Sequence, residues 1–100
     1  MKYLIEFKEE AQNDIIDAAG WYNQKQSDLG KKFLLAVEEA IQKILNNPFA
    51  GRNFFKFYRQ VSLKKFPYVI VYEIVFDAIV IYQIFNTWQN PRRKLKRLKR

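Results

Sequence analysis

Positive charge is the main chemical resource of this chain. It contains no cysteine and no histidine in 100 residues. Composition therefore excludes a thiolate nucleophile, an imidazole general base and a Cys/His zinc site. Eighteen Lys/Arg stand against ten Asp/Glu, and the surplus is lopsided: residues 1–50 carry a net −2 and residues 51–100 a net +10. A basic half of this kind favours an acidic partner, either nucleic acid or an acidic protein segment. Two stretches stand out. Phe54, Phe55, Phe57 and Tyr58 are interleaved with Lys56, a composition that can stack on bases and clamp a single strand. The start of a strand with core-facing rings explains it more simply. The tail from Arg92 to Arg100 carries seven positive charges, and its self-repulsion predicts a mobile arm rather than a packed helix.

The elements that must position these groups follow from periodicity. Tyr3 to Phe7 reads as a first strand. Ala11, Ile15, Ala18 and Tyr22 recur at helical spacing behind the favourable acids Glu9 and Glu10, giving a helix over 9–26. Gly20 inside it suggests a close helix–helix approach, and Trp21 caps the edge of the core. Ser27 and Asp28 are N-cap candidates. Phe33, Val37, Ile41 and Ile44 form the stripe of a second helix that Asn46-Asn47-Pro48 ends. The short link between the helices makes them an antiparallel hairpin.

Three β-rich runs follow. Arg59–Leu63 alternates, Lys64-Lys65-Phe66-Pro67 interrupts, and Tyr68–Val75 with Ile79–Phe85 reads as a hairpin. A three-residue turn at 76–78 gathers Val69, Val71, Glu73, Val75, Ile81, Gln83 and Phe85 on one face. It leaves Tyr68, Ile70, Tyr72, Ile74, Val80, Tyr82 and Ile84 on the other. The expected fold is α+β, in the order β-αα-βββ, an antiparallel sheet with a helical hairpin packed on one face. Residues 1–91 form one domain and 92–100 a basic C-terminal arm. Two helices cover only one side of the sheet, so the Glu73 face, still largely apolar, is expected to meet a partner. With no signal peptide or long apolar span, the chain reads as cytoplasmic, with no membrane, metal or cofactor involved.

In this order of elements, Ala11 and Asp14, Trp21-Tyr22, Leu29-Gly30, Phe33, Asn47-Pro48, Gly51, Tyr58-Arg59, Leu63, Phe66-Pro67-Tyr68, Tyr72 and Asn90-Pro91 together resemble the ParE/RelE superfamily of toxins of bacterial type II toxin–antitoxin systems. The resemblance spans residues 1–93 or so. It implies a toxin neutralised by a cognate antitoxin. RelE-like members cleave ribosome-bound mRNA, and ParE-like members poison DNA gyrase. Where nuclease relatives carry an arginine, a basic residue and a histidine, this chain has Val69, Phe85 and Asn86, which favours the ParE-like branch. Arg59, Lys64, Lys65 and Tyr82 are the remaining catalytic candidates for the nuclease alternative, and no obvious base accompanies them. A non-catalytic nucleic-acid-binding domain using the tail is the third reading. The antitoxin is expected across Val69, Val71, Glu73, Val75, Ile81, Gln83 and Phe85. Its acids would meet Lys64, Lys65, Arg92 and Arg93, while Arg59 would pair with Glu73 or an antitoxin acid.

Overall fold

The computed structural model describes residues 2–98 of the chain; Lys99 and Arg100 of the basic tail lie outside the described residues. The order is β1 (Leu4–Phe7), α1 (Glu9–Lys25), α2 (Leu29–Asn46), a single 3₁₀ turn (Pro48–Ala50), β2 (Arg52–Phe55), β3 (Tyr58–Ser62), β4 (Tyr68–Val75), β5 (Ala78–Asn86) and α3 (Pro91–Leu98). The expected α+β arrangement is present, enlarged by one strand and one helix. The five strands lie in the order β1-β5-β4-β3-β2. β2 to β5 form an antiparallel meander, and β1 joins β5 in parallel at the far edge. The aromatic run around Lys56 is thus a hairpin, with β2 and β3 joined by a tight turn in which Lys56 takes a positive φ of 50°.

α1 and α2 pack on one face of the sheet. Phe33, Val37, Ala40 and Ile44 of α2 and Ala11 and Ala18 of α1 meet Leu63, Ile70, Tyr72, Ile79, Ile81 and Ile84 in the main core. The glycine that permits the helix–helix approach is Gly30 rather than Gly20. A Cβ on Gly20 would meet nothing, whereas one on Gly30 would run into the Ala19 carbonyl and Asn23. The freed space lets the Gly30 N–H donate to Asn23 Oδ1 at 2.9 Å. Asp28 holds the N-cap position of α2 in a left-handed conformation, without a side-chain capping bond. Trp21 is half-exposed, edge-on to Tyr22 with Lys25 above it. Tyr72 ties the sheet to the turn after α2: its hydroxyl donates to the Pro48 carbonyl (2.7 Å) and accepts from the Gly51 N–H (3.1 Å).

The β4–β5 register differs from the expected one in a way that moves side chains. Val69 pairs with Phe85 and Val71 with Gln83, as expected, but Val75 pairs with Ala78 and Tyr72 with Ile81. The turn is therefore two residues, Phe76-Asp77, and a bulge after Ile81 absorbs the difference. Phe76 takes the positive φ that such a turn demands. An inserted residue restores the alternation on one side of the bulge and reverses it on the other. Ile81 consequently sits at 0% exposure in the helix-side core. Tyr82 lies on the opposite face with Glu73, and alternation places Val80 there too.

Candidate functional site

The sheet face away from α1 and α2 is closed by the chain itself. α3 lies across it, so the uncovered face expected from the sequence does not exist in the folded chain, and residues 91–98 are helical rather than a loose arm. Asn90 starts this helix, its Oδ1 accepting the Arg92 N–H at 2.9 Å. Leu98 packs on Val69, Val71 and Phe85, with Phe54 and Tyr58 beside them. Val69, Val71, Gln83 and Phe85 are all buried. The cover is thin: none of the α3 side chains is itself fully buried.

Polar contacts hold α3 where apolar ones are few. Lys94 Nζ donates to Gln60 Oε1 (2.7 Å) and stands 4.3 Å from the Phe54 ring centre. Partial burial pulls its pKa below the usual lysine range. Gln83 Nε2 donates to the Lys94 carbonyl at 3.2 Å, but Gln83 Oε1 is buried with no hydrogen-bond partner among the described residues. Arg97 bridges Glu10 (3.0 Å) and Asp14 (2.8 Å) of α1. Asp14 also accepts the Ile84 N–H at 2.9 Å. It can do so because β1 ends at Phe7, opposite Ile81, leaving β5 without a neighbouring strand beyond that point. Burial raises the Asp14 carboxyl pKa, against the downward pull of Arg97 and the Ile84 N–H.

The residues expected to form one antitoxin surface are divided. Val69, Val71, Gln83 and Phe85 lie under α3. Glu73 and Val75 continue that face toward the hairpin turn and are half-buried. Ile81 belongs to the other side. Arg92 and Arg93 are exposed on the first turn of α3, while Lys64 and Lys65 are exposed in the β3–β4 loop beside α2. The charge contacts therefore form two groups rather than one.

The catalytic candidates are dispersed as well. Arg59 donates to the Gly51 and Phe49 carbonyls (2.8 and 3.3 Å) and lies over the Phe49 ring. Its partners are backbone oxygens rather than Glu73, which points to the opposite face. Lys64 and Lys65 lie past the far end of β3. Tyr82 donates to Glu73 Oε1 at 2.7 Å and meets the Tyr58 ring edge-on. Burial first, then Glu73, raises its pKa far above the usual tyrosine value. Such a phenol stays protonated and already has its acceptor.

Sequence reasoning missed Asp14, Gln60, Lys94 and Arg97 as a connected set. One signal was available. Asp14 stands three residues after Ala11 and four before Ala18, so it sits within the apolar stripe of α1, where a charged group needs a partner.

Comparison with known proteins bears on this arrangement. The family model for the ParE toxin of type II toxin–antitoxin systems matches residues 5–91. Among solved structures, a chain of the chromosomal ParDE toxin–antitoxin system from P. aeruginosa superposes with a TM-score of 0.77 at 16% identity. The match covers 85% of this chain and 96% of that one. At that identity the likeness is one of fold. No curated protein matches the sequence.

Proposed function

The chain belongs to the ParE toxin family of type II toxin–antitoxin systems, and from that premise we propose that it inhibits growth by binding a cellular protein, DNA gyrase. We further propose that a cognate antitoxin neutralises it by taking the sheet face that α3 occupies.

The dispersion of the cationic and phenolic candidates supports binding over RNA cleavage. Phosphoryl chemistry on RNA needs a base and a charge stabiliser within reach of one phosphate. Arg59 is committed to the Phe49 and Gly51 carbonyls, and Tyr82 to Glu73 on the other face. Exchange of α3 for an antitoxin segment is supported by the composition of the cover. An eight-residue helix anchored mainly by Leu98 leaves the Gln83 Oε1 acceptor unmet. A longer apolar segment with one donor would bury Val69, Val71 and Phe85 more fully.

The test pairs two assays on the purified chain. Inhibition of gyrase supercoiling, relieved by the protein encoded beside it, is the expected result. Ribosome-dependent mRNA cleavage that Tyr82→Phe abolishes would replace this reading with the nuclease one.

A further inference from the structure

A long furrow separates α2 from the outer part of the sheet. Its widest part, about 910 Å³, lies between the outward side of α2, with Leu29, Lys32 and Leu35, and the β3–β4 loop, with Lys64, Phe66 and Pro67; Trp88 stands at its mouth. Ala36, Glu39 and Lys64 also line the adjoining hollow, which reaches Lys43 and Ser62. Those two in turn line a third, which extends to Asn47 and Arg52. From Leu29 to Asn47 the furrow follows α2 for about 27 Å at 1.5 Å per residue.

Three observations describe what would fit there. The first is an apolar end that is built and left open. Trp88 is 81% exposed and Leu35 51%. The loop displaying the indole is fixed, because the Thr87 N–H and hydroxyl both donate to the Pro67 carbonyl (2.8 and 3.1 Å) and the Trp88 N–H donates to Asn86 Oδ1 (2.8 Å). Apolar surface grouped in this way on a fixed frame marks an interaction site. The second is charge. Lys32, Lys43, Arg52, Lys64 and Lys65 line the furrow against one carboxylate, Glu39. The third is a strand edge. β2 begins opposite Gln60, so Val61 and Ser62 of β3 have no neighbouring strand on the furrow side.

We propose that this furrow docks an acidic, amphipathic segment of a protein partner. The segment's apolar side chains lie against Leu35 and Trp88, and its carboxylates run along the lysines toward Arg52. The site is separate from the α3-covered face and does not depend on gyrase being the target. A second copy of this chain is a poor occupant, since its net charge of +8 would meet the same cations. Nucleic acid is disfavoured by Glu39 in mid-furrow and by the aliphatic character of the Leu29–Leu35 end.

Three probes test it: a synthetic peptide of about 18 residues with leucines at helical spacing near one end and glutamates elsewhere, the same peptide with lysines for glutamates, and an oligothymidylate of equal length. Each is titrated into the full chain while backbone amide NMR shifts are followed. The glutamate peptide is expected to bind saturably, moving amides of 29–47, 61–67 and 88. The double variant Lys43→Glu/Lys64→Glu, at exposed positions, should weaken it at least about tenfold, and Leu35→Glu should do the same from the apolar end. The inference is overturned by equal binding of the lysine peptide or by shifts confined to α3. Tighter binding of the oligothymidylate, which would make the furrow a nucleic-acid surface, also overturns it, as does no saturable binding up to about 1 mM.

Discussion

The two faces of the sheet are closed by different means. On one, α1 and α2 bring Phe33, Val37 and Ile44 onto Ile70, Tyr72, Ile79 and Ile81, and the joint is apolar throughout. On the other, α3 brings Leu98 onto Val69, Val71 and Phe85, and the rest of the joint is ionic or hydrogen-bonded through Lys94 and Arg97. Apolar burial stabilises in proportion to area, whereas partly exposed ion pairs contribute little after desolvation and screening. The helix-side core should therefore hold the fold, and α3 should be the element that opens. That asymmetry suits a protein whose second face is reserved for exchange with a partner.

Truncation of one residue on each face measures the asymmetry. Phe33→Ala removes a fully buried ring that contacts Tyr22, Phe66 and Tyr68. It should destabilise the chain by about 3–5 kcal/mol in urea unfolding. Leu98→Ala removes a half-buried side chain from the smaller cluster and should cost about 1 kcal/mol. Its effect should appear mainly in hydrogen exchange, as faster exchange in 91–98 with little change in α2. Equal losses from the two variants would mean that α3 is an integral part of the core.

Much of the helix-side architecture was legible in the sequence because its signals are local. The stripe of α2, the Pro48 stop and the Phe66-Pro67 break between strands each depend on neighbours a few residues away. The second face was not legible, for two physical reasons. The bulge after Ile81 leaves no mark in a run where Ile79 to Phe85 reads as apolar alternation under either register. The tail was read by its own charge, but the acids that neutralise it belong to α1: Arg97 and Asp14 are 83 positions apart. A segment's charge decides its order only together with whatever the fold brings beside it. β2 was hidden for a related reason, since Lys56 makes its turn at positive φ without the Asn-Gly pair that usually signals one.

The smallest expected effect probes the polar edge of the second face. Tyr82 shares a hydrogen bond with Glu73, and burial and that carboxylate raise its pKa from the ordinary 10.0. In the unfolded chain the phenol ionises near the ordinary value. The folded state therefore keeps its proton after the unfolded state has lost it, and stability falls as pH rises from about 10 toward the folded pKa. Tyr22, Tyr58, Tyr68 and Tyr72 are shifted in the same direction, so the wild-type chain should lose stability steadily in alkali. Tyr82→Phe should lower stability at neutral pH by about 1 kcal/mol through the lost hydrogen bond. It should also make the alkaline decline shallower. Thermal midpoints from neutral pH to about pH 11 for the two proteins separate these effects. Parallel declines would mean that Tyr82 titrates like a solvated tyrosine. The Glu73 edge would then be open to water, and the second face would be looser than its static packing implies.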